Sequence, residues 1–244
     1  MSEAYDIQTG QPHALIVEAD LACRMGLQHL FAVILGRSAR VTADGAEVLG
    51  ALRGGVRPRL VVVGLCSGQD VALAVIGAAK ATGACVIALD WRQASDWAVR
   101  AFLAGADDVA PAPIRLKEFA LRMAARLGPQ DSGLAACQLD LTADWETEAD
   151  IALRAGLTEA EARVVSILIG GGGHIVTRDE LSLAIDQRPW DYGDRKFDVH
   201  VAKIRKKLCK AFGTRITVST VRALGYRMTI AGSDLSPQGG QQLG

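Results

Sequence analysis

A chain of 244 residues, half of them apolar, has room for two modest domains that each bury a core, and is too apolar to stay disordered. Its 27 basic and 27 acidic residues cancel, so any affinity for a polyanion must come from a local patch. No apolar run is long enough to span a bilayer, and the polar stretch Met1 to Pro12 lacks the charged start and apolar core of a secretion signal. The five cysteines, Cys23, Cys66, Cys85, Cys137 and Cys209, are scattered and form no C-x-x-C pair. That argues against a zinc site or a disulfide framework and sets the expectation of a reducing cytoplasm, with no metal and no cofactor.

Charge is unevenly placed. From Asp194 onward the basic residues are Arg195, Lys196, Lys203, Arg205, Lys206, Lys207, Lys210, Arg215, Arg222 and Arg227, against Asp194, Asp198 and Asp234. Asp131 to Glu161 is the reverse, with eight acids against Arg154 alone. Such a basic segment reads either as one polyanion-binding face or as a solvated helix surface.

The first half alternates short apolar runs with helical patterns. Ala14-Leu15-Ile16-Val17 reads as a buried strand, and Leu21 to Leu35 as a helix with Leu27, Leu30, Phe31 and Ile34 on one face. Strands are predicted over 39–42, 60–63, 85–89 and 108–110, and helices over 46–52, 71–81, 95–104 and 116–127. This is a fivefold βα alternation: a parallel sheet covered on both faces, with chemistry expected at the C-terminal strand ends. The second half follows a turn-rich linker at 129–133. Weak strand patterns with acidic turns run over 134–153. Thr158 with Glu161, and Thr177 with Glu180, make two capping boxes that start helices, the first stopped by Gly170 to Gly173. A third helix from about Asp194 to Lys210 buries Phe197, Val201, Ile204 and Leu208 and turns Lys196, Val199, His200, Lys203 and Lys207 outward, a mixture suited to a major groove. A hairpin closes the pattern, with Arg222 near its tip and Gly225 supplying a backbone conformation other residues avoid. The Gly-, Ser- and Gln-rich tail, 231–244, reads as disordered.

Two stretches of the first half carry a resemblance. "ALIVEAD" at 14–20 and "GADDVAPAPIRLKEF" at 105–119 resemble the first strand, and the last strand and helix, of response-regulator receiver domains, over residues 13–128. The positions on which receiver chemistry depends depart from the pattern. Gly64 stands where the resemblance places the phosphoacceptor aspartate, Ala19 where it places a metal-binding aspartate, Asp90 where it places a phosphate-sensing hydroxyl and Ala112 where it places a lysine. Val109 replaces a switch aromatic, and Glu18 and Asp20 are left as surface acids at a strand end. The resemblance also implies homodimerisation, with Asp108, Glu118 and Arg122 matching pairing positions; Ala98 does not, and Trp97 or Phe102 either compensates or belongs to the core.

In the second half, "RPWDYGDRKFDVHVAKIRKKL" (188–208) and "ITVSTVRALGYRM" (216–228) resemble the winged-helix effector domain of OmpR/PhoB-type regulators, over residues 134–230. The resemblance implies double-stranded DNA as partner, with RNA polymerase as a further one. It makes Arg195, His200, Arg205, Thr220, Arg222 and Tyr226 phosphate contacts, and Lys196, Val199 and Lys203 candidates for base edges. It further implies a small antiparallel sheet before the first helix. Lys203 replaces the arginine often found, and lysine lacks its planar fork, so no sequence preference carries over. The reading is a non-enzymatic, sequence-specific transcription regulator acting as a dimer without aspartyl phosphorylation. Two alternatives stay open: a conventional regulator switched by a histidine kinase, against which Gly64 and Ala112 stand, and a redox- or ligand-responsive regulator using a cysteine such as Cys66.

Overall fold

The computed structural model describes residues 11–65, 69–92, 95–128, 130–133 and 144–231. The chain divides into two compact units, Met1–Leu153 and Arg154–Gly244.

In the first unit the strands β1 (Ala14–Val17), β2 (Ala39–Thr42), β3 (Leu60–Gly64), β4 (Cys85–Asp90) and β5 (Asp108–Pro111) form one parallel sheet in the order β2-β1-β3-β4-β5. Helices α1 (Leu21–His29, continued by a π-helical turn Leu30–Ile34), α2 (Gly45–Arg53), α3 (Gln69–Ala81), α4 (Ser95–Ala104) and α5 (Leu116–Leu127) connect and cover it. Because successive side chains on a strand face opposite ways, Ile16, Val62 and Ile87 join Leu27, Phe31 and Phe119 in one core. Leu15, Val61, Val63 and Val86 join Val48, Val75 and Ala101 in the other. Burial on both faces explains the uninterrupted apolar runs. Trp97 lies in this second core.

Residues 145–155 differ from expectation. They form a helix, α6 (Trp145–Ala155), not strands. The Asp144 carboxylate accepts from the Thr147 amide (3.1 Å) and hydroxyl (2.6 Å) and so caps its start. Trp145 and Ala149 enter the first core, and Glu146 Oε1 accepts the Leu116 amide (2.8 Å) at the start of α5. The rest of the expected strand region, 134–143, lies outside the described residues, as do Pro129, Cys66, Cys137 and the tail beyond Ala231.

The second unit contains α7 (Glu159–Gly170), α8 (Arg178–Asp186) and α9 (Lys196–Phe212), with a three-stranded antiparallel sheet, β6-β8-β7, made of β6 (Val176–Thr177), β7 (Ile216–Val221) and β8 (Gly225–Ile230). Both capping boxes form as the sequence predicts. Gly225 is needed for a different reason from the one expected. Its φ is not in the left-handed region, but a Cβ there would lie 2.0 Å from the Val176 carbonyl oxygen on β6. The left-handed residue of the wing turn is Ala223, at φ 60°.

Candidate nucleic-acid interface

On α9 the apolar residues Phe197, Val201, Ile204, Leu208 and Phe212 face the core of the second unit. At 3.6 residues per turn this leaves one opposite stripe, and Arg195, Val199, Ala202, Lys203, Lys206 and Lys210 occupy it, all exposed. Ala202, Lys206 and Lys210 were not among the expected contacts, although their spacing from Val199 places them there. Arg222 is exposed in the wing turn between β7 and β8.

The flanks of the helix are tied down. Lys196 Nζ pairs with Asp186 (2.5 Å) at the end of α8. Lys207 Nζ pairs with Glu161 (2.5 Å) and donates to the Gly156 carbonyl (2.8 Å), on the side facing α7. Arg205 Nε donates to the Val218 carbonyl and its Nη2 to Thr220 Oγ1, each at 2.6 Å. Arg205 and Thr220, expected as separate phosphate contacts, are thus a strut from helix to wing. His200 is half-buried and turns Nδ1 inward, where no partner meets it among the described residues.

Tyr226 requires a correction. It is fully buried, so its ring is core and no phosphate can reach it. Its hydroxyl donates to Asp198 Oδ1, which also receives Arg178 Nη2 (2.7 Å). Arg178 stacks over the Tyr226 ring (4.8 Å) and the Trp190 ring (5.6 Å). The Tyr226 hydrogen bond, then Arg178, hold the Asp198 carboxyl below the usual carboxylate range, while burial and then Asp198 push the Tyr226 phenol up. Lys207 is corrected likewise: its ammonium is spent on Glu161. Burial alone would raise the Glu161 carboxyl, but hydrogen bonds from Lys207 and Thr158 outweigh it and leave it lowered.

At the C-terminal strand ends of the first unit, Gly64 closes β3 and Asp90 closes β4, while Ala19 and Ala112 lie just beyond the ends of the flanking strands β1 and β5. Ala19 and Gly64 border a space of about 50 Å³ walled by Val17, Ala43, Val63 and Val71. Glu18 is not the surface acid expected: it is 1% exposed and folds over Gly64. A Cβ on Gly64 would lie 2.3 Å from Glu18 Oε2. Trp91 Nε1 donates to that oxygen (3.0 Å), and the Asp20 amide donates to Oε1 (2.8 Å). Asp20 stays exposed and caps α1 through the Cys23 amide (2.8 Å). Buried Asp90 accepts the Arg92 amide (3.0 Å). Among the described residues no group of three His, Cys, Asp or Glu side chains could hold a metal ion.

Residues 154–228 match the family "Transcriptional regulatory protein, C terminal". The second unit, which holds this match, has the winged-helix fold. It follows a receiver-like α/β unit whose parallel sheet has the order β2-β1-β3-β4-β5. The chain is 31% identical over 147 residues to the heme response regulator HssR of Staphylococcus epidermidis, covering 59% of this chain and 65% of that one. It is 33% identical over 72 residues to the transcriptional regulatory protein CpxR homolog of Haemophilus influenzae, covering 30% and 32%. The chain thus spans under two thirds of the length of these two relatives. To the response regulator MprA of Mycobacterium sp. it is 28% identical over 223 residues, covering 87% and 95%. Among solved structures, a CheY-like receiver domain protein from Methanospirillum hungatei aligns with 50% of this chain and 97% of its own, at 18% identity and a TM-score of 0.44.

Proposed function

We propose that this protein is a sequence-specific transcription regulator that binds double-stranded DNA through α9 and the wing, and that it acts without aspartyl phosphorylation. The observation that supports DNA binding best is the exposed stripe on α9. It carries Lys203, Lys206 and Lys210, with Arg195 just before the helix, around a small apolar centre, Val199 and Ala202. Cations reach phosphates and guanine edges, and a small apolar side chain meets a thymine methyl. Titrating variants on specific and scrambled duplexes at several salt concentrations tests this. Lys203→Ala is expected to lose about 1–3 kcal/mol of discrimination at one or two base pairs. Lys206→Ala should weaken both duplexes equally and lower the salt slope by about 1. If both variants bind as the parent does, α9 is not the reading element.

Phosphorylation independence rests on Glu18 lying over Gly64. Transfer to a receiver needs a carboxylate nucleophile and a bound divalent cation. Here position 64 offers no nucleophile, and the buried Glu18 carboxylate that lies over it already accepts from Trp91 and Asp20. Acetyl phosphate with magnesium should leave no hydroxylamine-sensitive adduct and no change in DNA affinity; an adduct on Asp20 or Asp90 would restore the kinase-switched reading. Cys66, on which a redox reading rests, lies outside the described residues. Cys85 does not take its place, because burial, then Asp107, pushes its thiol up to about 11. Pairing of two copies through the face of α4, β5 and α5, action in the cytoplasm and contact with RNA polymerase complete the proposal.

A further inference from the structure

The wing ends in the turn Arg222-Ala223-Leu224, closed by the Leu224 amide donating to the Val221 carbonyl (3.1 Å). Turns favour Gly, Asn, Asp, Pro and Ser, and a left-handed position within one ordinarily takes glycine or asparagine. This turn has none of them. Alanine takes the left-handed position, and a leucine that is 53% exposed follows it. Neither turn chemistry nor burial calls for an apolar residue at 224.

The tip is anchored from both strands. On β7, Arg205 grips the Val218 carbonyl and Thr220 Oγ1. On β8, Gly225 lies against the Val176 carbonyl of β6, and Tyr226 is buried with its hydroxyl on Asp198. Val221 pairs with Gly225 directly below the turn. The turn thus holds a cation, Arg222, and an apolar residue, Leu224, side by side at its tip, both exposed.

We propose that Leu224 is a specificity-determining residue of the wing, an apolar wedge that lies against the floor of the minor groove and selects A·T over G·C pairs by the absence of the guanine 2-amino group. This rests on the reading of the wing as a DNA contact and adds which base atoms its tip senses. In the minor groove A·T pairs show only acceptors, at adenine N3 and thymine O2, whereas G·C adds the N2 amino donor. A leucine pressed over that amino group takes water from a donor and offers no acceptor in return. Over adenine, whose C2 carries only hydrogen, the same leucine desolvates an apolar edge. Leucine is among the side chains that minor-groove proteins insert as wedges. Arg222, two residues earlier, supplies charge for the negative groove, and Leu224 supplies the contact with its floor.

Alternating duplexes of dA-dT, dG-dC and dI-dC test this with the full chain. Inosine keeps the major-groove atoms of guanine and lacks its 2-amino group, so dI-dC joins the major groove of dG-dC to a minor groove like that of dA-dT. The stripe on α9 therefore meets the same base atoms in dI-dC and dG-dC, and only the minor groove differs. In anisotropy titrations the parent is expected to bind dI-dC at least about fivefold more tightly than dG-dC, the scale of one disfavoured base contact. Leu224→Ser should bring that ratio to within about twofold and keep the salt slope, because no cation is lost. Leu224→Met, which restores an apolar side chain of similar reach, should restore the preference. Position 224 is exposed, so neither variant removes core packing. Binding to none of the three duplexes overturns the DNA-binding reading and this proposal with it. Binding with no preference for dI-dC over dG-dC in the parent, or a preference that survives in Leu224→Ser, overturns the role of Leu224 alone.

Discussion

At position 223 the wing turn asks an alanine for a left-handed backbone, φ 60°, that a Cβ disfavours. Relieving that strain outweighs the extra freedom glycine gains in the unfolded chain, so Ala223→Gly should stabilise the protein by about 0.5–1 kcal/mol in denaturant melts. A loss of stability would mean that the turn relaxes around alanine. Position 64 is the opposite case, a glycine whose missing side chain is replaced by a neighbour. Glu18 is flexible and could swing aside for a Cβ, but a buried carboxylate would then give up its Trp91 and Asp20 donors. Gly64→Ala should therefore cost about 1–2 kcal/mol, and most of that cost should vanish in a Glu18→Ala background. Additive costs in the double-mutant cycle would show that Glu18 does not fill the space. Sequence reading found the unusual Gly64 but not its occupant, because Glu18 reaches it from another strand. The pairings of Lys207 with Glu161 and Arg205 with Thr220 were hidden for the same reason: they join residues distant in sequence, so spacing carries no trace of them.

Among the elements, those whose pattern repeats locally were legible. The strand at 39–42 and the helices at 95–104 and 116–127 have the predicted bounds, because apolar runs and helical spacing act within one segment. Helix α6 was missed although Asp144 offers a cap and Glu146 and Glu148 suit a first turn; the short local pattern read as weak strands, and the resemblance implied a sheet there as well. On α9 the buried stripe was plain, whereas the way its first turn is held was not. Asp198 joins that turn to Tyr226 on β8 and to Arg178 on α8. Its carboxyl is depressed in the folded state, so its contribution is complete above the unfolded value of about 4 and disappears as pH falls through the lower folded value. Asp198 is partly exposed, which screens the pair. Asp198→Asn should therefore cost about 1 kcal/mol near pH 7. In melts at stepped pH the difference from the parent should shrink below about pH 4; a difference that stays constant with pH would assign the loss to packing instead of charge.

For the molecule as a whole, the proposed pairing would depend on which residues of the α4–β5–α5 face are available to a second copy. Asp108, Glu118 and Arg122, the expected pairing charges, already meet within one chain: Arg122 Nε reaches Glu118 (2.9 Å), its Nη1 reaches Asp108 (3.2 Å), and Arg126 approaches Asp108 (3.8 Å). Exchanging them for pairs across an interface gains little, since exposed ion pairs are worth about 0–1 kcal/mol. The same helices expose Val99 (56%), Phe102 (50%), Leu103 (83%) and Leu121 (54%). Burying one such side chain fully is worth about 1.5–3 kcal/mol. Apolar contact should therefore drive association, with the charges setting register. Leu103→Glu is expected to weaken self-association in sedimentation by at least about tenfold, since each 1.4 kcal/mol is a factor of ten. Arg122→Ala should change it by less than about fivefold, within the range of one exposed pair. Neither change touches α9, so affinity for a single half-site should be unaltered in both. Only Leu103→Glu should lose the avidity gained on a duplex with two half-sites. If Arg122→Ala separates the copies while Leu103→Glu leaves them paired, the charges carry the interface and the exposed apolar residues do not.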